Sequence, residues 1–291
     1  LLKRFKDCKV LGVTPEKIGY KAIKDGIPTI INYFDKRVVN QIIKKHGKAK
    51  VITATNVFAH IDKIDELVKN ILKLMKPDGV FVSESHYFLS LVETLQYDTI
   101  YHEHLRYYTV TSLKNIFNKY GLKIIKVKNI KTHGGSIRVY VTKNKAFEVH
   151  KSVKIALKKE KKYLSKKNLN LFKSKVLKSK IDLLEIIKKI KFKNHNIFAV
   201  GAPSRATTLV NYVGINEEMV DYICEIKGSH KIGHYLPGTK IPIMPEEFIF
   251  KKKPQYLLLL SWHISKELIK NLKSKGYKGK FIIPLPKIKI C

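Results

Sequence analysis

The sequence predicts an α/β protein built of two sheet-and-helix units in tandem. Three observations predict it. Short runs rich in Val and Ile alternate with helically periodic segments through the first half of the chain. A lysine-heavy stretch over 143–193 then carries apolar residues at three- and four-residue spacings, the mark of an amphipathic helix. Beyond it the alternation of strand-like and helical runs begins again at Ile197.

Taken in order, residues 9–13, 29–31, 50–55 and 79–83 read as strands, with helices over 15–24, 35–46 and 61–75 between them. Strands joined through helices of that length predict a parallel sheet. A helix over 111–120 leads to two further strand-like runs, 122–127 and 136–142, whose short polar connection holds Gly134 and Gly135. They are expected to close the sheet as an antiparallel hairpin. Between 143 and 193, Phe172, Val176, Leu177, Ile181, Leu184 and Ile187 follow helical spacing and predict one long helix that links the units. The second unit is expected to run strand 197–200, loop Gly201-Ala202-Pro203-Ser204-Arg205, a helix to 213, and strand 221–224. Strand 256–260, helix 265–275 and strand 280–283 complete it. The expected domains are therefore 1–145 and 195–291, with a helical linker over 146–194.

Composition narrows the function classes. The 291 residues suffice for about two domains, and 44% hydrophobic with 10% aromatic residues fills two cores, which excludes intrinsic disorder. No apolar run approaches the ~20 residues that cross a bilayer, and the start Leu-Leu-Lys-Arg-Phe-Lys-Asp lacks the core of a signal peptide. A soluble, cytoplasmic protein without a membrane partner is expected. Cys8, Cys224 and Cys291 are too scattered for a disulfide framework or a zinc cluster, so no bound metal is expected in this chain. The net charge of +35 invites a nucleic-acid reading, but only five of the 58 basic residues are arginines, leaving 53 lysines spread along solvated helix faces. No nucleic-acid partner is expected.

The densest polar constellation is Tyr101-His102-Glu103-His104. A zincin helix needs its second His four residues after the first, and position 106 is Arg. Two imidazoles and a carboxylate on a connection past a strand stand where parallel sheets place reactive groups, although a surface loop with ordinary histidines fits the same residues. His60, just beyond strand 50–55, is open to the same two readings. In Thr132-His133-Gly134-Gly135-Ser136 the glycines allow close approach to a ligand or simply a tight turn. Gly201 to Arg205 lies between a strand and a helix, so Gly201, Ala202, Pro203, Ser204 and Arg205 form a candidate diphosphate site. Glu225 ends the next strand at the spacing where an acid meets a ribose hydroxyl. The full G-x-G-x-x-G is absent, which favours a nucleotide joined to another group over NAD.

A doubly wound sheet ending in a hairpin is similar to the class I S-adenosylmethionine-dependent methyltransferase pattern, followed here by a second Rossmann-like domain. The glycine-rich turn that should follow its first strand is missing: Gly12-Val13-Thr14-Pro15-Glu16 stands there, with no G-x-G before it. The simplest expectation is a chain that starts inside a longer protein, lacking that first strand and loop, so that 9–13 is the second strand.

At these residues the chain resembles the sugar C-methyltransferase family, which methylates a carbon of a nucleotide-linked deoxysugar. The resemblance is carried by Asn56-Val57-Phe58-Ala59-His60, Tyr97-Asp98-Thr99-Ile100-Tyr101-His102-Glu103-His104, Thr132-His133-Gly134-Gly135-Ser136-Ile137-Arg138-Val139-Tyr140, Gly201-Ala202-Pro203 and Gly233-His234-Tyr235-Leu236-Pro237-Gly238-Thr239. It implies a zinc-binding domain before Leu1, a methyl-donor domain and a C-terminal domain that anchors the nucleotide sugar. S-adenosylmethionine is the implied cofactor, with Thr14, Thr55 and Asn56 at its site; the family commonly has an acid where Thr14 stands. It implies catalysis by His104, Glu103, Tyr101 and His60, and substrate contacts from His133, the 201–205 loop, Glu225, Lys231 and Tyr235.

A carbon nucleophile requires a carbanion, which a sugar supplies only beside a ketone; the expected substrate is thus a nucleotide-linked 4-keto deoxysugar. A histidine with a pKa near ~6.5 can take the proton at neutral pH while a hydrogen-bond donor meets the developing oxyanion. His104 is the expected base, Glu103 the group that orients or tunes it, and Tyr101 and His60 the groups that contact the keto oxygen or relay protons, with roles interchangeable within the set. The competing expectation is a nucleotide-sugar-binding module or degenerate pseudoenzyme, motivated by Thr14 and the absent loop.

Overall fold

The computed structural model describes residues 8–291 and divides into two compact units. The first comprises the described chain up to Ser85 with Val110–Lys128 and Ile137–Leu157; the second comprises His86–Thr109, Asn129–Ser136 and Lys158–Cys291. This division differs from the expected boundary near 145, because two excursions from the first half, 86–109 and 129–136, pack with the second unit.

In the first unit β1 (Gly12–Thr14) pairs in parallel with β2 (Thr29–Ile31) across α1 (Ile18–Lys24). Gly19 lets α1 lie against the strands, since a Cβ there would come within 2.2 Å of Ile31 Cδ1. The Asp35 carboxylate accepts the Val38 N–H at 2.8 Å and so caps α2 (Lys36–His46), which buries Val38, Val39 and Ile42. β3 (Ala49–Thr55), α3 (Ile64–Leu74) and β4 (Met75–His86) form a parallel unit. α4 (Phe88–Glu93), α5 (Val110–Asn118), β5 (Lys123–Ile130) and β6 (Ser136–Thr142) follow. The strands make two ladders, β1-β2 and β3-β4-β6-β5, so the adjacent pairing of the last two strands is as expected. Among the described residues β3 is an edge strand, and Val51 on it is 52% exposed. Val38, Val39, Ile42 and Leu74 form a core against which Val13, Ile30 and Ile52 of both ladders pack. A second core is aromatic: the rings of Phe58, Phe81 and Phe117 lie 5.6 to 6.1 Å apart and are fully buried.

The expected single linker helix is two, α6 (Lys151–Tyr163) and α7 (Lys166–Lys191). Ser165 breaks it, being extended with its hydroxyl accepting the Asn168 N–H at 3.4 Å. β7 (Ile197–Val200), α8 (Ser204–Val213), β8 (Tyr222–Glu225), β9 (Ile243–Pro245), α9 (Glu247–Lys252), β10 (Tyr256–Leu259), α10 (Ser265–Ser274), β11 (Lys280–Ile283) and β12 (Lys289–Ile290) form a sheet ordered β12-β11-β10-β7-β8-β9. All pairings are parallel except β11 with β12. Strand residues alternate between two cores: Ala199, Leu258 and Ile282 face Leu183, Leu209 and Val210 of α7 and α8, while Phe198, Leu257 and Phe281 face Ile249 and Leu272 of α9 and α10. Burial on both faces explains the near-continuous apolar runs. From β7 the chain moves outward through β8 and β9, then returns to the opposite side of β7 as β10. The loops after β7 and β10 therefore diverge at a topological switch point, where sheets of this kind bind ligands.

No helix of the described residues is long and apolar enough to cross a membrane. The aromatic core yields a prediction. Phe81→Ala empties the centre of the ring cluster and is expected to cost about 3–5 kcal/mol, read as a lowered urea midpoint by circular dichroism. An unchanged midpoint would show that the cluster does not hold the first unit together.

Candidate active site

The segment after β4 folds around a 3-10 turn, Tyr97–Thr99, flanked by buried Gln96. Asp98 is wholly buried and holds three donors. Arg205 Nε donates to Oδ2 and Nη2 to Oδ1, each at 2.8 Å, and Trp262 Nε1 donates to Oδ2 at 2.7 Å. The guanidinium also lies 4.8 Å from the indole ring centre. Arg205 opens α8 and Trp262 follows β10, so both sides of the switch point grip one carboxylate.

The next carbonyl, that of Thr99, accepts the Tyr107 hydroxyl at 2.8 Å and lies 3.1 Å from His104 Nδ1. A carbonyl only accepts, so Nδ1 carries the hydrogen. Tyr101 Oη stands 3.0 Å from Nε2 and donates to its lone pair, with the two rings 4.3 Å apart at 30°. Burial, then the charge of Glu103, raises the Tyr101 pKa, and burial pushes that of Tyr107 up to about 12. Both phenols stay protonated near neutrality. The loop thus presents one imidazole of fixed tautomer beside one protonated hydroxyl.

Tyr101 and His104 lie side by side, and the group that orients the imidazole is the Thr99 carbonyl in place of the expected Glu103. Glu103 and His102 are exposed. His60 ends a 3-10 turn, Phe58–His60, in the first unit and is exposed. The side chain of His133 lies outside the described residues. Gly134 and Gly135 make a tight turn: φ is +80° and +122°, and added Cβ atoms would meet Gln96 Oε1 at 2.3 Å and Ser90 Oγ at 2.6 Å.

Around the 201–203 loop, Gly201 has φ +85° and Ala202 N–H donates to Glu225 Oε2 at 2.8 Å. Ile226 N–H donates to Oε1 at 3.0 Å, and Lys231 Nζ donates to the Ala202 carbonyl at 2.5 Å. Pro203 precedes the helix in extended conformation, Ser204 is exposed, and Tyr235 is 62% exposed. The expectation that Arg205 grips a diphosphate is corrected, because its fork is spent on Asp98 inside the protein. In the first unit Thr14, Thr55 and Asn56 stand at the carboxyl ends of β1 and β3. Asn56 adopts φ +55° with its N–H on the Glu84 carbonyl at 2.8 Å, and Thr14 Oγ1 accepts the Glu16 N–H at 3.2 Å while keeping its own hydrogen to donate. Uncharged hydroxyl and amide groups at strand ends fit the hydroxyls and ring nitrogens of a nucleoside cofactor. Among the described residues no group of three His, Cys, Asp or Glu could hold a metal ion.

Sequence reasoning passed over the roles of Asp98 and Trp262, and His86 altogether. Asp98 lay inside the block that contains His104, and no local pattern pairs it with residues more than a hundred positions away. Gln96 Nε2 donates to the Gly134 carbonyl at 2.7 Å, so its Oε1 accepts His86 Nε2–H at 3.3 Å. His86 Nδ1 is left buried without a partner. Burial chiefly, then the charges of Arg205 and His104, overcome the opposing Gln96 bond and lower the His86 pKa to about 4.

Two family models match the chain: a methyltransferase domain over residues 5–127 and the C-methyltransferase C-terminal domain over 131–286. It is 30% identical over 287 residues to the C-methyltransferase NovU of Streptomyces niveus, a match covering 97% of this chain and 68% of NovU. Two solved structures are similar over part of the chain. LepI in complex with SAM is 12% identical at a TM-score of 0.38, over 48% of this chain and 38% of LepI. A SAM-dependent methyltransferase from Anabaena variabilis is 16% identical at 0.35, over 46% of this chain and 68% of its own.

His86 gives a pH prediction. The unfolded chain binds this proton near pH ~6.5 and the folded chain only near 4, so stability is full above pH 6.5 and falls as the pH drops through that window, by up to ~3 kcal/mol. The difference in Tm between pH 6.5 and pH 4 should shrink in His86→Gln. Parallel curves for the two proteins would show that His86 titrates as a free imidazole.

Proposed function

The chain belongs to the C-methyltransferase family and is an S-adenosylmethionine-dependent C-methyltransferase, and from that premise we propose that it methylates the carbon beside the ketone of a nucleotide-linked 4-keto deoxysugar. One observation carries the reading: His104 is held by the Thr99 carbonyl in the tautomer that leaves Nε2 basic, next to a protonated Tyr101. A carbon–carbon bond to a methyl donor needs a carbanion, and only a neighbouring carbonyl makes the proton on that carbon removable at neutral pH.

In the proposed step, His104 Nε2 takes the α-proton and the C–H electrons move into the carbonyl, giving an enolate. The resting bond from Tyr101 to Nε2 is given up as that nitrogen becomes protonated. The new Nε2–H is then a donor to Tyr101 Oη, and the phenol turns its own hydrogen to the enolate oxygen. Its raised pKa suits this use, because the hydroxyl keeps its proton while stabilising negative charge. Thr99 meanwhile accepts the Nδ1–H of the imidazolium, a bond that strengthens as the ring becomes charged. Glu103 adds a negative charge to the same loop. When bound, S-adenosylmethionine supplies an electrophilic methyl group; Thr14, Thr55 and Asn56 are the residues proposed to hold its nucleoside.

The switch point of the second unit is the proposed seat of the nucleotide. The start of α8 at Ser204, just after Pro203, lies where helix amides face an anion, the Gly201 and Ala202 amides being taken by the Cys224 carbonyl and the Glu225 carboxylate, and Lys231 supplies the cation that Arg205 does not. Glu225, whose carboxylate holds the Ala202 amide, is proposed to meet the ribose, and exposed Tyr235, together with His133, the sugar.

Two measurements test the reading. His104→Ala in the full protein should slow exchange of the sugar α-proton with deuterated water by at least ~100-fold, the usual contribution of a positioned base. Unaltered exchange would remove His104 from that role. Lys231→Met should raise KM for the nucleotide sugar at least ~10-fold with a smaller change in kcat, and an unchanged KM would move the diphosphate elsewhere.

A further inference from the structure

Asp98 occupies the place where an α/β sheet ordinarily receives a ligand. Its carboxylate sits at the first turn of α8, between the loops that leave β7 and β10, and meets a forked guanidinium and an indole N–H. This is the donor set of an anion site, filled by the chain's own side chain. Both partners are nearly or wholly buried, at 9% side-chain exposure for Arg205 and none for Asp98. A buried ion pair is weak as a stabilising device, since apolar residues of similar volume often serve as well. What the pair does provide is position.

That position is inherited by the base. Asp98 fixes the 3-10 turn, and the carbonyl immediately after it, on Thr99, holds both His104 Nδ1–H and the Tyr107 hydroxyl. The Thr99 hydroxyl turns back to the Gln96 carbonyl at 2.8 Å and stiffens the same turn. We propose that Asp98, Arg205 and Trp262 form an internal latch that sets the tautomer and direction of His104 by holding the Thr99 carbonyl in place. They are positioning residues, and the inference rests on His104 being the base. Releasing the latch lets the carbonyl drift, and the imidazole then distributes its hydrogen between both nitrogens. A wrongly placed hydrogen on the base is costly, because the ring then points a donor where a lone pair is needed.

The test uses Asp98→Asn, which keeps the shape and removes the charge, with Arg205→Lys, which keeps the charge and removes the fork. In the parent protein the ¹⁵N side-chain spectrum should show His104 hydrogenated at Nδ1. In Asp98→Asn the signal should move toward a mixture of tautomers, kcat should fall about 10- to 100-fold with KM for both substrates within about threefold, and the acid limb of the pH–kcat profile should move to lower pH as the Nδ1 bond weakens. Arg205→Lys should fall between parent and Asp98→Asn on all three readouts, and it serves alone if Asp98→Asn does not fold. A folded variant with the parental tautomer and acid limb overturns the latch. Failure of the two ideas is separable: a tautomer shift in Asp98→Asn, beside intact proton exchange in His104→Ala, keeps the latch and discards His104 as base.

Discussion

One carboxylate without solvent contact organises the candidate active site. Asp98 has no water to stabilise its charge, so its burial is tolerated only because three N–H groups converge on it. Those donors come from two elements on opposite sides of β7, while the carboxylate comes from a loop of the chain's first half. The short turn between Asp98 and His104 is thereby tied to a sheet buried on both faces. Functional groups need such support: a loop alone lets a side chain wander by more than proton transfer allows.

The same constraint accounts for the chain's apparent untidiness. Residues 86–109 and 129–136 leave the first unit and join the second, and the glycines of the latter segment are what lets it come close. Gln96 spans the two excursions, giving its amide hydrogens to Gly134 and Thr94 and taking that of His86. The two excursions are therefore cross-linked to one another as well as packed on the sheet. A chain folded strictly in sequence order, one domain after another, would not bring these three polar groups together.

Much of this was legible in the sequence. The alternation of Val- and Ile-rich runs with amphipathic helices placed most strands within a few residues, since period and burial follow directly from side-chain chemistry. The pairing of Tyr101 with His104 is a matter of three-residue spacing and could be read locally. Three features could not. The break at Ser165 depends on a single cap inside an otherwise helical pattern. β9 and α9 are too short for periodicity to show. Arg205 next to a glycine loop reads as a phosphate ligand until a carboxylate 107 positions earlier is seen to occupy it. Long-range ion pairing leaves no trace in local composition.

The indole that clasps Asp98 belongs to the protein's single tryptophan. Excited at its red edge, the molecule therefore emits from one known place, a ring with a cation on its face and an anion at its N–H. Colour and lifetime of that emission are sensitive to neighbouring charge. Nature has left a built-in optical gauge of the loop that bears the imidazole, readable without labels.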